Sequence, residues 1–298
     1  MGTPPAPAWQ SSPLAQVRNN LDLPRAFLTS AYAGLRDRHI FADVQSYCMF
    51  IGYPRSGHSL LGSLLDAHPD AVIAHEADLL RYVQARFRRL QVYSLGLESS
   101  RRYRDKREIV YDYTVPGQWQ GTYRRLRVLG DKKGGRSTRR LAGDTRLLDR
   151  LEATVGVPTR FIHVARNPFD NITTIFQRSG PGGSLAAAVA EYLQLCATVA
   201  DVRVRLSPGN VLDVRHEALL GAPHLKLLEV CTFLGLDAEP GYLDDCAAIL
   251  YAAPRRTRHH VPWPAEMVEE VNQAIERFDF LHGYTFDDDQ PEGPDPGK

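Results

Sequence analysis

Residues 49–80, MFIGYPRSGHSLLGSLLDAHPDAVIAHEADLL, place a Gly-bounded basic turn between an apolar run and a helical pattern. Such a turn makes an anion cradle, because the first N–H groups of a helix lack partners within it and the helix dipole favours negative charge there. Backbone amides from Arg55 through Ser56, Gly57, His58 and Ser59 to Leu60 would face the bound group, with the Ser56 and Ser59 hydroxyls as further donors. Phosphate or sulfate is the expected guest, although an ordinary βα turn would use the same residues. The nucleoside-triphosphate pattern GxxxxGK followed by Ser or Thr is not met: Gly52 and Gly57 have the spacing, but His58 stands where the Lys belongs. A cation sits inside the loop instead, at Arg55, within reach of an anion's terminal group and its leaving oxygen.

The elements that must position this turn follow from the apolar runs. Those at 47–53, 71–74, 125–130, 160–165 and 210–214 read as strands. Helical patterns fall between them at 59–67, 76–92, 137–154, 168–178 and 184–206, and continue at 222–234, 239–251 and 264–277. Strands alternating with helices indicate an α/β fold with a central parallel sheet flanked by helices in three layers. The chain has 298 residues, 43% of them hydrophobic, long enough to bury its core without disulfides or a structural metal. Residues 1–15 and the acidic tail 287–298 read as disordered, leaving one domain over 16–286. Four widely spaced cysteines match neither a disulfide framework nor a zinc or redox motif, so a reducing, cytoplasmic setting is expected. No membrane span or signal peptide is expected either.

With its strand and loop in view, the sequence resembles the sulfotransferases that use 3'-phosphoadenosine 5'-phosphosulfate (PAPS). Their phosphosulfate loop runs Pro, Lys or Arg, Ser, Gly, then two hydroxyl residues; Pro54-Arg55-Ser56-Gly57-His58-Ser59 departs only at His58, where an imidazole N–H would have to substitute. The continuation DAHPDAVIAHEADLL looks most like tyrosylprotein sulfotransferases and their bacterial relatives, which implies Glu76 as the catalytic base. The resemblance further implies a 3'-phosphate site, met by Arg166 and Thr174 in RFIHVARNPFDNITT. Eight residues carry the chain through a turn and a first helical coil, so both groups can converge on one anion. VLGDKKGGRS offers Lys132, with Lys133 as the fallback, near the transferred sulfuryl group. His216 stands where an adenine-contacting Tyr often sits, and RRTRHHVPWPAEMVEEV resembles the family's C-terminal segment. The implied fold is P-loop-NTPase-like, with PAPS as sulfuryl donor and no metal.

Sulfuryl transfer is close kin to phosphoryl transfer, so positioning and electrostatics should dominate. Arg55 and Lys132 would meet the sulfuryl and bridging oxygens, and Glu76 would take the proton of a hydroxyl or amine acceptor. His75 is the alternative base, and Glu76 read alone could be a first-turn acid of the helix that follows. A kinase would instead need a metal-binding acid after a strand, for which Asp131 and Asp170 stand in the right places. A non-catalytic nucleotide or anionic-surface binder is the third reading. Residues 81–140 hold 17 Lys or Arg against five Asp or Glu, which suggests an anion-attracting field that steers the acceptor, or a set of solvated faces. That segment has no helix-turn-helix, zinc-finger or RNP pattern, so no specific nucleic-acid partner is expected. The acceptor itself and the oligomeric state are not legible; the acceptor's walls are expected at 80–125 and 178–190.

Overall fold

The structure, a computed structural model, describes residues 22–104 and 113–287. Both expected disordered ends, except Asp287, lie outside these residues, as does 105–112 of the basic segment. The chain runs α1 (Leu23–Arg36), β1 (Ser46–Ile51), α2 (His58–Asp66), β2 (Ala71–His75), α3 (Leu79–Gln84), α4 (Arg89–Arg104), β3 (Val128–Lys132), α5 (Gly134–Gly143) and α6 (Leu147–Val155). It continues with β4 (Thr159–Ala165), α7 (Pro168–Gln177), α8 (Leu185–Val204), β5 (Val211–Arg215), α9 (His216–Gly221), α10 (Pro223–Leu234), α11 (Pro240–Ala248) and α12 (Ala265–Arg277).

The five strands form one parallel sheet in the order β2-β3-β1-β4-β5. Every residue of β1 is buried, as a strand covered on both faces requires. Its alternation divides the core: Tyr47, Met49 and Ile51 join the apolar cluster that includes α3 to α8 and α12, whereas Cys48 and Phe50 join the cluster of α2 and α9 to α11. This is the expected three-layer α/β arrangement. Helix α8 is long and apolar enough to cross a membrane, yet Val189, Tyr192, Cys196 and Val199 on it are buried in the first cluster.

The structure corrects three boundaries. The helix expected over 76–92 is two helices, because Glu76, Asp78 and Arg86 adopt left-handed backbone at φ 54°, 55° and 66°. Glu76 therefore lies in the loop before α3 and is not a first-turn acid. The helix expected over 137–154 breaks at Asp144, and the strand expected to end at residue 130 runs on through Asp131 and Lys132. Helix α1, which packs along α4, was not anticipated.

Candidate active site

β1 is hydrogen-bonded to β3 on one side and β4 on the other, so the loops leaving β1 and β4 emerge together at the sheet's C-terminal edge. The strand order reverses between β1 and β4, the place where open α/β sheets take ligands. Gly57, at φ 104°, turns the chain into α2, whose N-terminus has no side-chain cap. The amides of His58, Ser59 and Leu60 thus keep their anion-binding capacity. A Cβ on Gly57 would lie 2.6 Å from Nδ1 of His216, so only glycine lets the loop rest on that ring.

Two loop residues differ from the sequence expectation in how their side chains are used. The Ser56 hydroxyl is fully buried and donates to the Tyr53 carbonyl at 3.2 Å. What Ser56 can offer an anion is its amide. His58 lies 3.1 Å through Nε2 from the Ile51 carbonyl, which can only accept. Burial, together with His163 and Lys132, lowers its pKa to about 3, so the ring is neutral and its single N–H goes to that carbonyl. The expectation that this N–H replaces a loop hydroxyl is corrected: the imidazole braces the loop, packed so closely on Gly134 that a Cβ there would lie 2.3 Å from its Cε1.

Across the cavity, β2 and β3 end side by side, with His75 in register with Lys132. The Lys132 side chain is 2% exposed, and its Nζ donates to Ser59 Oγ at 2.8 Å and Glu76 Oε1 at 3.1 Å. Lys133 Nζ donates to Glu76 Oε2 at 2.7 Å. Burial would raise the Glu76 pKa, but the two lysines outweigh it and hold the carboxyl at about 2. The left-handed loop carrying Glu76 is fixed from below: Asp131 accepts from the amides of Ala77 at 3.1 Å and Leu79 at 2.7 Å, and Arg140 grips Asp78 with two bonds of 2.7 Å. His75 stacks flat on Tyr103, with centroids 3.7 Å apart.

Arg166 leaves the end of β4 and reaches Thr174 Oγ1 at 3.4 Å, as the eight-residue spacing anticipated. It also donates to the carbonyl of Arg255 at 2.8 Å, while its Nε has no partner among the described residues. Thr257 meets Thr174 at 3.2 Å, and Arg258 pairs with Asp170 at 2.6 Å. The segment 254–258 thus closes the far wall. Arg255 also lines the cavity, and the RRTR run at 255–258 was its signal in the sequence.

All the expected site residues except the buried Ser56 line one cavity of about 850 Å³. Eight Arg or Lys side chains line it against a single carboxylate, that of Glu76. Both acids a kinase would need for metal are otherwise engaged, Asp131 by the loop amides and Asp170 by Arg258. Several cations of the basic segment are ion-paired, and four of them, Lys132, Lys133, Arg136 and Arg139, line this cavity. Arg81 pairs with Asp22, Arg124 with Asp70, Arg125 with Asp43, Arg127 with Asp237, Arg139 with Glu191 and Arg140 with Asp78. Acids from elsewhere in the chain thus offset part of its excess charge.

Among solved structures, the chain is similar to the sulfotransferase domain of the olefin synthase of Synechococcus PCC 7002, with 19% identity, 84% of this chain and 97% of that chain covered, and a TM-score of 0.51. It is also similar to the sulfotransferase domain from the curacin biosynthetic pathway, with 16% identity, 77% and 97% covered, and a TM-score of 0.50. At these identities the likeness is one of fold. Comparison with curated proteins finds no match. The model of the sulfotransferase family matches residues 49–240, from the phosphate-loop strand through the Arg166–Thr174 pair to the start of α11, and by that match the chain belongs to the sulfotransferase family.

Proposed function

We propose that the chain moves a sulfuryl group from PAPS to a hydroxyl or amine acceptor, with Glu76 as the base. The observation that carries this is the convergence of the uncapped α2 N-terminus, the Arg166–Thr174 pair and Lys132 beside Glu76 on one cavity. The cavity fits a doubly anionic nucleotide: it is lined by cations, and Arg166 Nε and His216 Nδ1 are buried polar atoms without partners among the described residues. Arg166, Thr174 and the 255–257 segment would hold the 3'-phosphate, the amides of 57–60 the 5'-phosphate, and His216 the adenine side.

The acceptor oxygen or nitrogen attacks sulfur in line, and the bond from sulfur to the bridging phosphate oxygen breaks. Arg55 and Lys132 meet the charge gathering on the sulfuryl and leaving oxygens, and Glu76 takes the acceptor's proton. His75, flat against Tyr103, forms a wall beside the base. No metal is called on, because arginine, lysine and backbone amides can meet the nucleotide's charge. Four buried, unpaired cysteines support a reducing, cytoplasmic setting. The test is thermal stability with 3'-phosphoadenosine 5'-phosphate (PAP), ATP with Mg²⁺, or a mixed oligonucleotide: PAP alone should raise Tm strongly. A response to ATP and Mg²⁺ exceeding that to PAP would refute the proposal.

A further inference from the structure

The lysine assigned to the transferring group is not waiting for it. Lys132 Nζ bridges Ser59, in the first turn of α2, and the Glu76 carboxylate. Its stem packs closely against Gly62, where a Cβ would come within 2.8 Å of Cγ, and its far end lines the cavity. Glu76, with a side chain 47% exposed, is held from its other oxygen by Lys133. Of the charged groups nearby, Asp131 serves the loop amides, Arg136 and Arg140 serve Asp78, and His58 is neutral.

We propose that Glu76 and the donor's sulfuryl group compete for Lys132, so that loading the donor turns the ammonium from the carboxylate to the sulfuryl oxygens and thereby releases Glu76 to act as the base. A carboxylate bonded to two ammoniums is a poor proton acceptor; one that has lost its buried partner and keeps only Lys133 is a stronger one. The base is thus restrained whenever there is nothing to transfer. This rests on the PAPS reading of the site and adds that donor binding and base strength are coupled through one side chain.

The coupling is reciprocal, so removing the carboxylate's charge must favour the donor. Glu76→Gln is expected to bind PAPS about tenfold more tightly than the unaltered protein, the effect of about one lost charge-assisted bond. PAP, which lacks the sulfuryl group, should bind both within about twofold, which also shows that the variant is folded. The gain must vanish in a Lys132→Met background, as a double-mutant cycle measured by calorimetry without acceptor will show. Equal PAPS affinity with and without the Gln substitution, or an equal gain for PAP, overturns the exchange while leaving the donor reading standing. Failure of the unaltered protein to bind PAPS at all overturns the donor reading and the exchange with it.

Discussion

Replacing Arg166 by Ala should separate ligand binding from stability. The guanidinium is 8% exposed and its partners are neutral oxygens: the Thr174 hydroxyl and the carbonyls of Arg55 and Arg255. Burial lowers its pKa, the sign that the fold solvates this cation incompletely. Asp170 and Glu217 act on this cation through space, but neither bonds it directly, so burial still leaves it a cost that a bound anion would relieve. Truncation removes that cost along with two or three modest hydrogen bonds, so the ligand-free Tm should move little.

Binding should change far more. Removing one partner of a buried charge pair costs about 2–5 kcal/mol, or about 30-fold to several-thousand-fold in affinity for PAP. AMP, without the 3'-phosphate, should be nearly indifferent. At a PAP concentration about 100 times its Kd, the unaltered protein gains about 2.7 kcal/mol. At about 2–4 °C per kcal/mol, that is a rise of roughly 5–10 °C. At the same concentration Arg166→Ala should gain less than about 1 kcal/mol, a rise of about 3 °C at most. Thermal melts with PAP and AMP, followed by calorimetry, supply the comparison. A PAP-to-AMP affinity ratio that survives the substitution refutes the assignment of Arg166 to the 3'-phosphate.

Glu76→Gln should lower turnover by about 100-fold or more at saturating PAPS, measured as PAP release with an active acceptor; His75→Ala losing as much, with Glu76→Gln active, would move the base to His75. Gly134→Ala should weaken PAP binding and lower Tm, since its Cβ would lie 2.3 Å from the His58 ring that braces the phosphate loop; unchanged binding would remove His58 from that role. His58 and His216, both lowered to about 3 by burial, stay neutral in the fold while the unfolded chain takes up protons below about 6.5. The unfolded state then binds more protons, so stability should fall as pH drops from about 6.5 towards 3, and urea midpoints at pH 7 and 5 should differ in that direction, less so in His58→Asn. Charge reversal at Arg101 and Arg102, at the end of α4, should spare PAP affinity and leave the acceptor's kcat/KM within about twofold, whereas a large loss for the acceptor alone would support the steering field.

What the sequence revealed and what it hid divide along a physical line. The β1 loop and the Arg166–Thr174 pair were legible because local spacing fixes them: a strand, a turn and one helical coil determine where those groups stand. The loop bearing Glu76 was hidden because its left-handed residues are not glycines. The apolar positions at Leu79, Leu80 and Val83 continue a helical pattern, and the break is imposed by Asp131 and Arg140, which arrive from β3 and α5. The pairing within the basic segment was hidden for the same reason, since Asp22, Asp43, Asp70, Asp237 and Glu191, which pair with it, come from remote parts of the chain.

The sheet order explains why two motifs about 110 residues apart make one site. Because β4 is hydrogen-bonded directly to β1, with Ile51 in register with His163, the loop after β1 and Arg166 after β4 end within contact of each other; Arg166 lies 3.5 Å from the Arg55 carbonyl. On the other flank, β3 brings Lys132 to the same edge and β2 brings Glu76. On the proposed reading, the nucleotide would lie on the β1–β4 side and the base, Glu76, on the β3–β2 side, with Lys132 between them. The lysine stands where the two halves meet, bonded to Ser59 of α2 and to Glu76, which is why the proposed exchange runs through its one ammonium. Any substitution that shifts β3 against β1 should alter donor affinity and turnover together, whereas Arg166 variants should alter donor affinity with much less effect on turnover once the donor is saturating.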